Sequence, residues 1–190
     1  MLFLRNPNGV NTWHYLIKNC LNEKSLEVID NFRSITALKK AEMFNADNDA
    51  SRLTDISFLE LKEDTVDLYQ NVGDLIEKAN LSHFNWQLLF LETMQYSEYP
   101  VGGTYCMHTD SGLKGDKGLN RKLSFSILLN DPLEYEGGDL ELYQFNEPEK
   151  IKMNKNDIVF FPSFTPHRVT PVTKGKRISL VGWVVGPNFV

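Results

Sequence analysis

Apolar residues recur along this chain in two rhythms, helical in the first half and alternating in the second. Leu26, Ile29 and Phe32 follow Asn22, a favoured N-cap residue, and predict a helix from about Glu23 to Phe32. Val66, Tyr69, Val72, Leu75, Ile76 and Ala79 form the buried face of a second predicted helix, from Asp64 to about Asn80. Between them, Arg52 to Leu61 reads as a strand with Leu53, Ile56 and Phe58 apolar. From Trp86 onward the pattern predicts short strands at Trp86–Tyr96, Tyr105–Thr109, Lys122–Leu129, Asp139–Tyr143, Asp157–Phe161, His167–Val172 and Arg177–Val185. Turn sequences such as Pro100-Val101-Gly102-Gly103, Gly137-Gly138 and Thr173-Lys174-Gly175-Lys176 separate them. Strands spaced this way close into a sandwich or barrel, of which the jelly roll is the eight-strand form. The expectation is a mainly β fold with supporting α-helices, in one domain over residues 1–190. Residues 1–84 would be the support and 85–190 the core carrying the site.

Composition narrows the function classes. A length of 190 residues suits one domain with a substantial core. The net charge of −5, and the lack of a basic stripe with interleaved aromatics, make nucleic acid and anionic membranes unpromising partners. The basic clusters at 150–155 and 174–177 read as solvated hairpin ends. Cys20 and Cys106 make neither a disulfide framework nor a zinc site. The opening Met1-Leu2-Phe3-Leu4-Arg5 turns polar too soon for a signal peptide, and no apolar run nears the ~20 residues of a membrane span. A cytoplasmic location is the expectation.

The candidate chemistry lies in His108-Thr109-Asp110, in His167, and in Arg177 ten residues later. On an extended strand residues i and i+2 share a face, so His108 and Asp110 would point the same way. Two imidazoles and one carboxylate suit non-haem Fe(II) and leave coordination positions open. Taken alone, the pair equally fits a hydrogen-bonded structural contact. Alternation places Arg177, Ser179, Val181 and Trp183 on one face of their strand. If that face lines a barrel, the guanidinium has no acidic partner on its strand, and a ligand carboxylate would match its planar fork. A surface arginine ending the basic turn is the other reading. The glycine-rich segment from Ser111 to Asn120 is long for a hairpin and fits either a lid or a surface turn.

Several motifs in order carry a family resemblance. Tyr99-x-x-Gly102-x-x-Tyr105-x-x-His108-x-Asp110, Arg121-Lys122-Leu123-Ser124, Tyr135-Glu136-Gly137-Gly138, Asp157-Ile158-Val159-Phe160-Phe161-Pro162, His167, Arg177 and Ser179 resemble the Fe(II)/2-oxoglutarate-dependent dioxygenases, in their prolyl 4-hydroxylase-like branch. The resemblance spans about residues 85–187. It implies a double-stranded β-helix, a cupin-like jelly roll. It also implies Fe(II) on His108, Asp110 and His167, and the distal carboxylate of 2-oxoglutarate on Arg177. Ser179 and Tyr99 would assist the cosubstrate, and Tyr105 and Arg121 would lie on the substrate side. The sequence departs from the pattern at Leu128, where some relatives carry a cosubstrate-binding tyrosine. Arg177 stands where collagen-type enzymes usually have lysine. Strand parity places Cys106, not Tyr105, on the face of His108 unless a bulge intervenes.

The implied activity is hydroxylation of an unactivated C–H with O2, 2-oxoglutarate passing to succinate and ascorbate a possible reductant. A prolyl residue in a protein or peptide is the implied substrate, with a free amino acid or other small molecule as alternative. Asp110 speaks against halogenation, since family halogenases lack that carboxylate. Two other classes remain at this point: a metal-binding jelly-roll module without turnover, and a zinc-holding structural protein. Arg177 argues against both, because a pure binder has no use for an anion-binding arginine there.

Overall fold

The computed structural model of the chain describes residues 13–44, 50–111, 118–144 and 147–188. Its strands are β1 (Tyr15–Ile17), β2 (Lys39–Phe44), β3 (Ala50–Leu59), β4 (Phe90–Leu91), β5 (Met94–Tyr99), β6 (Thr104–His108) and β7 (Leu119–Leu128). They continue as β8 (Tyr135–Gly137), β9 (Leu140–Gln144), β10 (Glu147–Lys150), β11 (Ile158–Pro162), β12 (His167–Val169), β13 (Val172–Gly175) and β14 (Arg177–Pro187). Helix α1 (Glu23–Ile35) follows β1, and helix α2 (Val66–Ala79) lies between β3 and β4 in the chain. The main path runs β1-β11-β7-β14-β5-β3-β6-β12-β9-β10, with β2 beside β3 and β4 beside β14; β8 and β13 form a separate pair. Every pairing is antiparallel. The sheet curls on itself, and residues of β6, β9 and β12 line the same cavity as residues of β5 and β14. This is the mainly β jelly-roll fold with supporting helices.

Period-two alternation on β5, β7, β11 and β14 generates two packing layers. Met94, Tyr96, Leu123, Phe125, Ile127, Ile158, Phe160, Ile178, Leu180 and Val184 pack with Ile29, Leu68, Val72, Leu75, Ile76 and Ala79 of the helices. The opposite faces carry Tyr99, Val159 and Phe161, which meet Leu140, Leu142, Val169 and Val172. Polar residues share that inner face: Ser97, Ser124, Ser126, Arg177 and Ser179 are all buried. Gly182 serves the outer layer, because a Cβ there would lie 2.4 Å from Phe125 Cζ.

Local chemistry explains the departures from expectation. Asn22 does cap α1, accepting from Ser25 N at 2.9 Å, and the helix runs one turn further than predicted, to Ile35. On α2, Leu68 is fully buried while Val66 is partly exposed, so the buried apolar stripe begins two residues later. The single strand expected over 86–96 is two, β4 and β5. The strand expected over 167–172 also divides, at Thr170-Pro171. Proline has no N–H to continue a ladder, and the chain passes there from one sheet to the other. Strands β1, β2 and β10 carry no alternating apolar signal that would announce them.

Residues 19–21 are tied to the turn before β11 by Asn156, which adopts φ 68. Its carboxamide oxygen accepts from Leu21 N at 2.9 Å, and its amide donates to Asn19 Oδ1 and Leu21 O. Asn156→Ala would strand these buried partners and place a Cβ residue without local hydrogen bonding in the left-handed region, costing about 2–4 kcal/mol. Asn22→Ala, which removes one exposed-end cap, costs about 1 kcal/mol. Equilibrium urea unfolding should rank the two variants in that order.

Candidate metal centre

Three side chains converge where β6 meets β12. The register pairs His167 with His108 directly. Their imidazole centroids lie 4.2 Å apart, and Asp110 faces both: His108 Nε2 to Asp110 Oδ1 is 3.7 Å and His167 Nε2 to Asp110 Oδ2 is 3.4 Å. The donor atoms of the three residues lie within 4.8 Å of one another. Asp110 is not on the strand as the His-x-Asp spacing predicts. β6 stops at His108, and the backbone N–H groups of Asp110 and Ser111 both donate to Ser163 O, at 2.9 Å each.

Each imidazole is oriented from behind. His108 Nδ1 donates to Cys106 O at 2.8 Å and His167 Nδ1 donates to Thr165 O at 2.9 Å, since a carbonyl can only accept. In a neutral ring this leaves Nε2 as the unprotonated nitrogen, the one that can bind a metal. Burial, reinforced by the neighbouring His167, lowers the His108 pKa to about 4, so the ring stays neutral across the physiological range. Asp110 Oδ2 accepts from Ser124 Oγ at 2.8 Å, and Ser124 is linked onward to Ser163 at 2.9 Å. Two neutral imidazoles and one carboxylate, each with an outer partner, fit a divalent ion of the iron type.

Arg177 occupies the deep end of the same cavity, a space of about 910 Å3. The residue is 2% exposed, and its Nη1 donates to Ser179 Oγ at 3.0 Å. Tyr99 stands opposite it in register on β5, with the guanidinium carbon 5.5 Å from the ring centroid. Burial raises the Tyr99 phenol above its ordinary range, against the opposing pull of Arg177. Two neighbours fix the start of β14. Asn130 accepts from Ile178 N and donates to Lys176 O, both at 2.8 Å, bracketing Arg177. Lys176 itself is ion-paired with Glu98. Gly138 leaves space for the arginine stem, because a Cβ there would lie 3.2 Å from Arg177 Cδ.

Tyr105 and Arg121 also reach this cavity. Between Tyr105 and His108 the β6 register slips against β12, so three residues of β6 span two of β12. That bulge resets parity. Tyr105 therefore stacks on His108, centroids 3.6 Å apart and planes at 16°, while Cys106 is turned outward and exposed. Arg121 is held by Glu92 at 2.6 Å and lies over the Trp183 ring at 4.0 Å. Leu128, the departure from the family pattern, lies on the wall of an adjoining 390 Å3 cavity that also touches Tyr135 and Arg177. Of the proposed loop from Ser111 to Asn120, residues 112–117 lie outside the described residues.

Sequence reasoning gave no role to Ser124, Ser163, Asn130 or Arg52. Ser124 stands at an inward position of β7, as Ser126 does, and no local pattern separates the two. The others depend on contacts across 39 or more residues and leave no local pattern.

Comparison with known proteins agrees with this geometry. Residues 94–185 match the sequence profile of the 2OG-Fe(II) oxygenase superfamily. A PKHD-type hydroxylase of Gloeothece citriformis is 37% identical over 117 residues, 62% of this chain and 53% of that protein. One from Teredinibacter turnerae is 31% identical over 128 residues, 64% of this chain and 57% of that one. The chain thus spans about half the length, or less, of the relatives it matches. Among solved structures, a prolyl-4-hydroxylase of Pseudomonas putida superposes with a TM-score of 0.71 at 20% identity, covering 94% of this chain and 95% of that one. A Trichoplax adhaerens prolyl hydroxylase, in complex with a hypoxia-inducible-factor peptide fragment, gives 0.67 at 21% identity over 92% and 84%. The profile match falls on the strands that bear the His-Asp-His cluster and the buried arginine, and over that stretch the chain is similar to the 2OG-Fe(II) oxygenase superfamily.

Proposed function

We propose that this protein is an Fe(II)- and 2-oxoglutarate-dependent dioxygenase that hydroxylates a prolyl residue of a protein or peptide. One observation carries the reading: the two carbonyl-oriented histidines and Asp110 open onto the same cavity as a buried arginine without a carboxylate partner among the described residues. The prolyl assignment draws on the named relatives and solved structures.

His108, Asp110 and His167 would hold the iron, and Arg177 with Ser179 would take the distal carboxylate of the cosubstrate. When bound, iron and 2-oxoglutarate supply the oxidising chemistry, in which O2 yields succinate, carbon dioxide and a hydroxylated C–H. The chain's own residues supply placement and electrostatics. Arg177 neutralises one cosubstrate charge in a region that water hardly reaches. Tyr99 places a protonated hydroxyl beside it, since burial keeps that phenol neutral. Asp110 lowers the charge of the metal site, and Ser124 fixes which carboxylate oxygen turns inward. Residues 1–190 would act as one unit, with α1 and α2 supporting the outer layer.

Two measurements test this reading. Anaerobic addition of Fe(II) and 2-oxoglutarate to metal-free protein should give a weak visible charge-transfer band. His167→Ala should abolish the band, and Arg177→Gln should raise the 2-oxoglutarate concentration that half-saturates it by ~30-fold or more, as expected for loss of a buried charge partner. A folded wild type that gives no band would overturn the oxygenase assignment. Ser124→Ala should keep the fold and lower metal affinity about 10-fold or more in a competition titration with a chelating dye. An unchanged affinity would mean Asp110 is held by its backbone alone.

A further inference from the structure

Three arginines line the cavity, and two are accounted for. Arg177 faces the cosubstrate end, and Arg121 is neutralised by Glu92. Arg52 on β3 is different. Its register partner on β6 is Tyr105, and its guanidinium lies over the Tyr105 ring, 4.5 Å from the centroid. Tyr105 in turn stacks on His108. Guanidinium, phenol and imidazole form a three-layer stack that ends on a metal ligand.

The arginine is only partly satisfied there. The Tyr105 side chain lies within its hydrogen-bonding reach, but the Arg52 Nε–H is buried and has no acceptor. Among the described residues no carboxylate forms an ion pair with it. Glu60, another acid on the cavity wall, is paired with Lys62 at 3.0 Å. The charges elsewhere balance: Fe(II), Asp110, a doubly charged 2-oxo acid and Arg177 cancel, as do Arg121 and Glu92. Among the described residues Arg52 remains the uncompensated positive charge of the cavity. A planar fork with a buried, unused N–H calls for an oxygen acceptor, and a carboxylate satisfies both geometry and charge.

We propose that Arg52 is a substrate-binding residue that takes a carboxylate of the substrate, close to the carbon that is hydroxylated. The proposal rests on the oxygenase reading above and narrows its substrate class. The carboxylate is either a free α-carboxylate on the hydroxylated residue or an acidic side chain next to it.

The test is calorimetric titration of protein loaded with Mn(II) in place of Fe(II) and with 2-oxoglutarate, so that nothing turns over. The probes are N-acetylproline against its amide, N-acetyl-Pro-Asp-amide against N-acetyl-Pro-Asn-amide, and N-acetylalanine against its amide. In the wild type at least one acid should bind about tenfold or more tightly than its uncharged partner. The proline pair or the aspartate pair then identifies the source of the carboxylate. Arg52→Gln should erase the preference, and Arg52→Lys, which keeps the charge but not the fork, should retain part of it. If the glutamine variant does not fold, the lysine variant carries the comparison. Acid and amide binding alike in every pair, or a preference that survives in both variants, overturns the proposal. A preference as strong with alanine as with proline keeps Arg52 in this role and removes proline from the reading. Proline probes that bind without acid preference do the reverse.

Discussion

The register of β14 against β5 and β7 is the constraint on which the rest of the protein depends. Along this strand Ile178, Leu180 and Val184 face the helices, and Arg177, Ser179, Val181 and Trp183 face the cavity. A slip by one residue would exchange the two sets, driving a guanidinium into the apolar layer and three aliphatic chains into the site. Both sides of the strand resist that exchange. The outer face is committed to α1 and α2. The inner face is committed through Asn130, which brackets Arg177 by bonding the backbone of the residues before and after it. Packing energy and site geometry are two readings of one alternation.

Within the cavity, the costs and uses of buried polarity coincide. A buried hydroxyl or guanidinium destabilises a fold unless it is hydrogen-bonded. Ser124 meets that requirement by bonding Asp110 and Ser163, and the two histidines meet it by bonding the carbonyls of Cys106 and Thr165. The groups with bonding capacity to spare share one space: the Nε2 atoms, Asp110 Oδ1 and the Arg177 fork belong to residues that line the same cavity. The chain therefore offers unused bonding capacity where a metal and an anion would be held.

Sequence made much of this visible, and the limits follow from range. The strands that form the inner and outer layers announce themselves by alternation, and Asn22 by its capping position. The His-Asp-His set and Arg177 are legible through their chemistry, and they do share one cavity. Less legible was whatever depends on distant pairing. The bulge that brings Tyr105 onto His108 exists only because β6 is held against β12, some 60 residues further along. Asp110 leaves its strand because Ser163 captures its backbone, again a partner remote in sequence. Arg52 shows no peculiarity until β3 lies beside β6. Edge strands were missed for another reason: β2 and β10 are rich in charge, and β10 is exposed throughout, so hydrophobic patterning has little to report.

That poverty of pattern in β10 has its own consequence for how the molecule behaves among its copies. The strand lies at one end of the sheet path, next to β9 and two strands from the histidines, and such an end is an open template for further strand addition. Its residues are Glu147, Pro148, Glu149 and Lys150, all exposed. An incoming strand would find no N–H at Pro148 and would have to desolvate two carboxylates and an ammonium to pair at all. The sheet that carries the site is thus sealed against polymerisation at that border by chemistry rather than by cover.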